Sequence, residues 1–344
     1  MSMPALNPID KDVREALQAI ARSNPELIAR FGAISGIQPT APTVQRKGIG
    51  YIQAPSILGY LAPDVVAGTD RRLVHRVFGD EPLVSGNDVV GFNGDVRTSQ
   101  QAKKLVEESV EPHGWGELVD NDELKIAASS GINLAMEATI TPRAVVELNK
   151  EVNGAAFFAD TGSYASASHY TTLSGTSKFS HADSDPLKAM SDKIEFIRTA
   201  CGARPDYVGL GATVMNALAW HPKILALLAQ AQTLGRGIPV TAQIIAQLLN
   251  VNVVVGDKIH KTATGLPTAD VWSDNVHMVY VGDEATPSLS FPRFATTAVS
   301  PDFPTVKFHV SDKGLSGGQK IVYADCYKTY SGMKSAGFTF FDCV

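Results

Sequence analysis

Residues 173–222 read LSGTSKFSHADSDPLKAMSDKIEFIRTACGARPDYVGLGATVMNALAWHP. A polar segment with Ser174-Gly175 and Phe179-Ser180 leads into Ser184-Asp185-Pro186, the opening of a helix. Asp185 is suited to the N-cap, because its carboxylate accepts a hydrogen bond from a free amide of the first turn. Pro186 falls at the first helical position, where its missing N–H costs nothing. Leu187, Met190, Ile194 and Ile197 recur at steps of three and four, with Cys201 continuing the stripe, so the spacing predicts an amphipathic helix with one buried face. Gly202 fits a left-handed C-cap and Pro205 prevents continuation. Tyr207 to Leu210 predicts a short buried strand and 212–220 a second helix, after which Pro222 starts another helical turn or a kink. This alternation predicts an α/β layer.

Downstream, Thr241 is placed to cap a helix carrying Ile244, Ile245, Leu248 and Leu249 on one face, followed by a buried strand over Val251–Val255. Asn275 to Val281 predicts another strand. The last sixty or so residues are strand-rich in composition, over Ser288–Ala295, Thr305–Val310, Lys320–Tyr327 and Gly337–Phe341. Upstream, Thr141-Pro142 is an N-cap and first-turn pair for one long helix, with Val145, Val146, Leu148, Val152 and Ala155 on its buried face, and a shorter helix is expected near 122–138. Gly154 and Gly162 bracket Phe157-Phe158, where the chain leaves the helix, and 161–184 is a Ser/Thr-rich loop.

The first third is less regular. Residues 11–31 predict a helix split by Pro25. Residues 32–68, rich in Gly and Pro, fit either an extended arm crossing a neighbour's surface or a compact set of loops. Leu73 to Val77 predicts a strand. The polar segment from Gly79 to Trp115 is too long for a structureless loop inside a compact domain. Val89-Val90 and Leu105-Val106 predict a protruding β-hairpin, and such an arm needs a surface to rest on.

The bulk numbers narrow the function. The chain has 344 residues, 44% hydrophobic and 19% charged, enough for a large core in two or three domains or one elaborate one. A formal net charge of −5 lacks the basic excess of a sequence-specific nucleic-acid binder. The three cysteines, Cys201, Cys326 and Cys343, form no CxxC, which argues against a disulfide framework or a zinc site. Residues 1–30 hold Asp10, Asp12, Arg14, Glu15 and Glu26 and no apolar core of signal-peptide type, and no apolar run reaches a membrane span. A cytosolic site of synthesis is expected.

Two motifs resemble catalytic ones and fail on context. Gly314-Leu315-Ser316-Gly317-Gly318 matches G-x-S-x-G, but a nucleophile elbow requires an acid and then a histidine later in the chain, and no histidine follows His309. Leu315-Ser316-Gly317-Gly318-Gln319 matches the signature loop of ATP-binding-cassette ATPases, but the chain has no G-x-x-x-x-G-K-[ST] to cradle phosphates. A glycine-rich turn in a β-hairpin, between His309-Val310 and Ile321-Val322, explains both. His181, Asp183 and Asp185 cluster like a small metal site, yet capping and loop roles account for them. His221 before Pro222 fits a helix end rather than a base.

The order polar Ser-Gly loop, Ser-Asp-Pro cap, amphipathic helix, Gly-x-x-Pro, strand, helix and Leu-x-x-His-Pro resembles the major capsid proteins of tailed bacteriophages, best over residues 140–255. The resemblance implies an α+β, Hong Kong 97-like capsid fold and a structural protein without enzymatic activity or cofactor. It implies an N-arm over 1–68, an extended β-hairpin loop over 69–118, a peripheral domain over 119–184 and 286–344 with its spine helix, and an axial α/β domain over 185–285. Many relatives have Asn where this chain has Asp206, and an aromatic Trp is common where it has Phe179. No Lys–Asn pair for a covalent cross-link can be aligned.

The implied function is self-assembly as pentamers and hexamers into an icosahedral virion shell in the host cytoplasm, enclosing double-stranded DNA without sequence-specific binding. Implied partners are scaffolding, portal and decoration proteins, with no membrane. Arg71, Arg72, Arg76, Lys103, Lys104, Glu107, Glu108 and Glu111 are the expected contacts between subunits. An encapsulin-type cellular shell, an α/β enzyme and a minor virion or decoration protein remain alternatives.

Overall fold

A computed structural model describes residues 53–67, 72–78, 104–129, 134–230, 240–262, 265–282, 292–311 and 317–344. The expected helix over 11–31 and the Val89-Val90 strand lie outside these residues. The fold is α+β, and the chain divides into two compact units. Among the described residues the larger comprises Gln53–His113, Val145–Pro301 and Asp325–Val344, and the smaller Gly114–Ala144 and Asp302–Ala324.

In chain order the elements are α1 (Leu58–Leu61), β1 (Asp64–Val66), β2 (Arg72–Val77), β3 (Lys104–Ser109), β4 (Glu111–Asp120), α2 (Asn121–Ser129) and α3 (Leu134–Ala159). There follow β5 (Tyr170–Thr172), α4 (Pro186–Cys201), β6 (Tyr207–Gly211), α5 (Ala212–Ala219), α6 (Pro222–Gln230), α7 (Ala242–Leu249) and β7 (Asn252–Gly256). The last are β8 (Ile259–His260), β9 (Ala269–Asp270), β10 (Val276–Val279), β11 (Ala295–Val299), β12 (Thr305–Ser311), β13 (Gly318–Ser331) and β14 (Gly337–Phe341).

The larger unit is organised by a mixed sheet in the order β5-β14-β10-β6-β7. β6 and β7 are parallel, with Leu210 opposite Val255, and β10 runs antiparallel to both β6 and β14. Helix α4 is built as its sequence dictates. Asp185 Oδ1 accepts from the Lys188 amide at 3.1 Å, Pro186 opens the first turn, and Gly202 closes the helix at φ 85°, a conformation in which any Cβ is strained. Its face Met190, Ile194 and Ile197 is buried with Val208, Leu210, Val214, Leu218, Ile245, Val276, Met278 and Phe338. Pro222 begins the new helix α6.

A second core in the same unit gathers Leu58, Leu61, Phe158, Trp272, Val279, Phe294 and Ala295. Here β1 pairs in parallel with β11, and β11 pairs antiparallel with the Tyr327–Ser331 half of β13. A Cβ at Gly154 would overlap the Leu58 side chain, so the glycine within α3 lets α1 approach closely.

In the smaller unit β12 pairs antiparallel with the Gly318–Ala324 half of β13, and β4 also pairs with β13. Among the described residues its core holds Val119, Ala138 and Ile321, with Leu124, Leu134 and Val306 packed against them. Asp120 Oδ1 accepts from the Asp122 amide at 2.9 Å at the start of α2, and Asp122 and Glu123 favour its positive end.

Four expectations are corrected. The long helix begins at Leu134 rather than Pro142, and the shorter helix stops at Ser129 instead of reaching 138. Pro142 is buried inside α3, where it forfeits one backbone hydrogen bond. Buried Ala138 shows why the turns before it remain helical: tertiary packing outweighs the local proline signal. On α7, Leu248 is 41% exposed while Ile245 and Leu249 are buried, so the apolar face is narrower than its four residues suggested. Thr241 holds the N-cap position of α7 without a side-chain cap bond.

Candidate assembly surfaces

β2 and β3 form an antiparallel ribbon with Arg72 opposite Ser109, Val74 opposite Glu107 and Arg76 opposite Leu105. Alternation decides what each face does. Leu73 and His75 point inward and are buried, and the His75 ring lies 4.0 Å from that of Tyr330. Burial lowers the His75 pKa while Glu108 opposes that shift. Val74, Leu105, Arg72 and Glu107 form the exposed outer face. Arg72 Nη1 lies 3.6 Å from Glu107 Oε1. Lys328 Nζ lies 3.3 Å from Glu108 Oε2 and 3.6 Å from Glu111 Oε1.

Four of the eight residues expected at subunit contacts thus have charged partners inside their own chain. Lys328, which serves two of them, was not singled out in the sequence. It follows an ordinary strand alternation, and its partners are more than two hundred positions away. Arg71 and Lys103 lie outside the described residues, as do the side chains of Arg76 and Lys104, whose backbones belong to the ribbon.

The base of the ribbon leads to a polar cluster on α3. Lys150 Nζ binds Asp64 Oδ2 at 2.7 Å and lies 5.5 Å from the centre of the Tyr327 ring. Asn153 donates to the Tyr327 hydroxyl at 3.2 Å, and the His113 ring stacks on Tyr327 at 4.1 Å and 16°. Burial pushes the Tyr327 hydroxyl up to about 12 and raises the Asp325 carboxyl, against the pull of Lys150.

Glu151, next in sequence, is 1% exposed. Its Oε1 accepts from the amides of Ile57 at 3.0 Å and Leu58 at 3.3 Å and from Trp272 Nε1 at 2.8 Å. Its Oε2 accepts from the Ser56 hydroxyl and lies 3.7 Å from Lys258 Nζ, which is itself buried. One carboxylate therefore satisfies the free amides that begin α1 and ties the segment Ser56–Leu61 to α3 and to the Trp272 loop. A lone Glu between Lys150 and Val152 has the signature of a solvated helix position, so no local pattern pointed to it.

Asp206 plays a comparable part. Its Oδ2 accepts from the amides of Val281 at 3.0 Å and Gly282 at 2.7 Å, where the chain turns after β10. Phe179 is buried, and its amide donates to the Cys343 carbonyl at 2.7 Å. His181 Nδ1 accepts from the Asp183 backbone amide at 3.2 Å, and the Asp185 carboxylate caps α4, so the side chains of His181 and Asp185 have local structural roles. His221 Nε2 lies 3.1 Å from Ser184 Oγ and 3.0 Å from the His181 carbonyl, joining the start of α6 to the loop before α4. Burial raises the Cys201 and Cys343 thiols, which disfavours the nucleophilic thiolate. Gly318 opens β13, which pairs antiparallel with β12, and Gly317 precedes it at φ 66°, while Gly314, Leu315 and Ser316 lie outside the described residues.

The smaller unit exposes large apolar side chains that its own core does not use: Trp115 and Leu118 on β4, Ile126 on α2, and Phe308 and Val310 on β12.

Taken together, these elements form the Hong Kong 97-like fold of phage capsids, a fold of shell-building subunits. No protein-family model matches the chain. In sequence it is similar to the major capsid protein of Burkholderia phage BcepMu, 24% identical over 323 residues that span 90% of this chain and 98% of the relative. Among solved structures it is similar to a phage-related protein from Bordetella bronchiseptica RB50, with TM-score 0.67 and 24% identity over 88% of this chain and 97% of the other. The capsid of cyanophage P-SCSP1u matches with TM-score 0.51 and 11% identity over 91% and 97% of the two chains. The SrpI encapsulin of Synechococcus elongatus PCC 7942 matches with TM-score 0.50 and 10% identity over 92% and 94%.

Proposed function

We propose that this chain is the major capsid protein of a tailed bacteriophage, a structural subunit that assembles with copies of itself into an icosahedral shell around double-stranded DNA. The observation that carries this is similarity to a phage major capsid protein along nearly the whole of both chains, together with the matching fold. Residues 1–68 serve as the N-arm, 69–118 as the extended loop, 119–184 and 286–344 as the peripheral domain, and 185–285 as the axial domain. Pentamers and hexamers are the capsomers, the completed shell is part of the virion, and assembly takes place in the host cytoplasm. Scaffolding, portal and decoration proteins complete the particle.

The chain's role is mechanical rather than catalytic. Buried polar hubs such as Glu151 and Asp206 fix the geometry of each subunit, and exposed faces make many weak contacts that sum over a lattice. Arg71, Arg72, Arg76, Lys103, Lys104, Glu107, Glu108 and Glu111 contribute to those contacts. Single exposed charge pairs contribute only about 0–1 kcal/mol each, so an Arg72→Glu change slows or weakens assembly without unfolding the subunit.

Electron microscopy and sedimentation of the chain expressed alone test this reading. Closed shells, tubes or capsomer rings are expected. A small homogeneous particle that stays unassembled with scaffold or crowding agent present would sink it. The encapsulin likeness supports a second reading, a cellular shell around protein cargo. Particles purified from a producing cell distinguish the two, because packaged DNA belongs only to the first.

A further inference from the structure

β12 is the outermost strand of its sheet among the described residues, with β13 on one side and no strand on the other. Phe308 is 54% exposed and Val310 89% exposed, yet both share a face with Ile321, which is fully buried. An open, apolar edge is a template for another strand, and proteins that keep such an edge unpaired usually blunt it with prolines, bulges or inward charges. Between Thr305 and Ser311 β12 has no proline and an unbroken register with β13, and its one lysine, Lys307, lies on the face opposite Phe308.

Its sequence, Thr305-Val306-Lys307-Phe308-His309-Val310-Ser311, is nearly symmetric about Phe308: hydroxyl, valine, basic, phenylalanine, basic, valine, hydroxyl. We propose that β12 pairs antiparallel with β12 of a second copy across a two-fold axis through Phe308. This inference rests on the reading that the chain builds a shell of like subunits, and it names one contact between them. In that register Phe308 faces Phe308 of the second copy and Val306 faces Val310, so the apolar side chains meet on one face. Lys307 faces the imidazole of His309 on the other. Cross-strand aromatic and valine pairs are the stabilising unit of a sheet, and backbone hydrogen bonds along the edge supply the rest. A two-fold contact is self-complementary by definition, because each residue i that meets j is met in return. The near-symmetry of β12 adds that the residues meeting across the axis are alike, Phe308 with Phe308 and Val306 with Val310.

The register gives a sharp test. Residues directly opposite across an antiparallel pair have Cα atoms about 4.5–5.5 Å apart, within disulfide range. Position 308 faces itself, whereas the two copies of position 306, or of 310, stand about 13 Å apart along the strands. Full-length Phe308→Cys, Val306→Cys and Val310→Cys chains are oxidised with copper phenanthroline and run on non-reducing gels, with the parent chain as control. The same samples are imaged by electron microscopy.

The expected result is a strong dimer band for Phe308→Cys, at least roughly tenfold weaker bands for either valine variant alone, and a restored band when the Val306→Cys and Val310→Cys chains are mixed before assembly. Bands of equal strength at all three positions, or none at 308, would overturn the pairing. Particle formation is read separately in the micrographs. Shells without a 308 cross-link therefore overturn only this contact, and a missing shell counts only against the proposed function. A Phe308→Lys variant supplies a second readout, since it sets two like charges face to face at the centre of the pairing: it is expected to remain folded and lose the assembled fraction.

Discussion

The two units of this chain differ in how far each completes itself. The larger encloses two cores and holds several buried polar groups on internal partners, as at Glu151, Asp206 and the cap of α4. The smaller buries Val119, Ala138 and Ile321 while Trp115, Leu118, Ile126, Phe308 and Val310 stay exposed. The difference fits a shell protein, in which one part must be rigid before assembly and another is finished by its neighbours.

The largest expected effect breaks the rigid part at its hub. Glu151→Ala leaves two backbone amides, the Trp272 N–H and the Lys258 ammonium buried without their acceptor, and is expected to cost about 3–5 kcal/mol or to abolish soluble expression. Glu151→Gln retains one acceptor and should cost less. Denaturant unfolding of both variants checks the order, and equal stability to the parent would show that the hub is ornamental.

Next in size is a pH effect in the same core. His277 is buried among Phe158 and Trp272 with its Nδ1 2.9 Å from Thr339 Oγ1, and burial lowers its pKa to about 3. The unfolded chain binds this proton near pH 6.5 and the folded chain does not. The stability it confers is therefore complete above that pH and declines as pH falls toward 3, by about 1.4 kcal/mol per unit. Unfolding midpoints at pH 7 and pH 5 measure the slope, and a His277→Gln variant should lose that share of it.

A smaller effect is expected at Asp206. Asp206→Ala removes the acceptor for the Val281 and Gly282 amides and should cost about 1–3 kcal/mol, whereas Asp206→Asn keeps an acceptor oxygen and should lie within about 1 kcal/mol of the parent. Smallest in the rigid part, Asp185→Ala removes one cap bond and should cost about 1 kcal/mol. Trp115→Ser sharpens the contrast from the other side. It should leave the unfolding midpoint of the free subunit nearly unchanged while reducing the assembled fraction, which sedimentation reports.

What the sequence made legible follows the same division. The cap, stripe and stop of α4, the strand β6 and the helix starting at Pro222 were readable because each depends on residues within a turn or two of one another. The helical start at Leu134 was not, because local proline signals favoured Pro142 and only the burial of Ala138 against Val119 and Ile321 overrides them. Leu248 was assigned to the core by spacing, and spacing does not report how wide a face the rest of the fold covers. Glu151, Lys258 and Lys328 escaped notice because a buried or bridging charge is defined by distant partners: Ile57 and Trp272 for the first, Glu108 and Glu111 for the last. A hairpin of Val89-Val90 with Leu105-Val106 was expected; Leu105-Val106 pairs instead with β2, a strand far back in the chain, and Val89-Val90 lies outside the described residues.

Hydrogen exchange of the free subunit and of assembled particles tests the central claim most directly. The account predicts that protection gained on assembly concentrates in segments 111–129 and 305–311, while segments 186–211 and 242–256 are already protected in the free subunit and change little. Equal gains across both sets, or a gain confined to the second, would contradict the division between a finished unit and one that its neighbours complete.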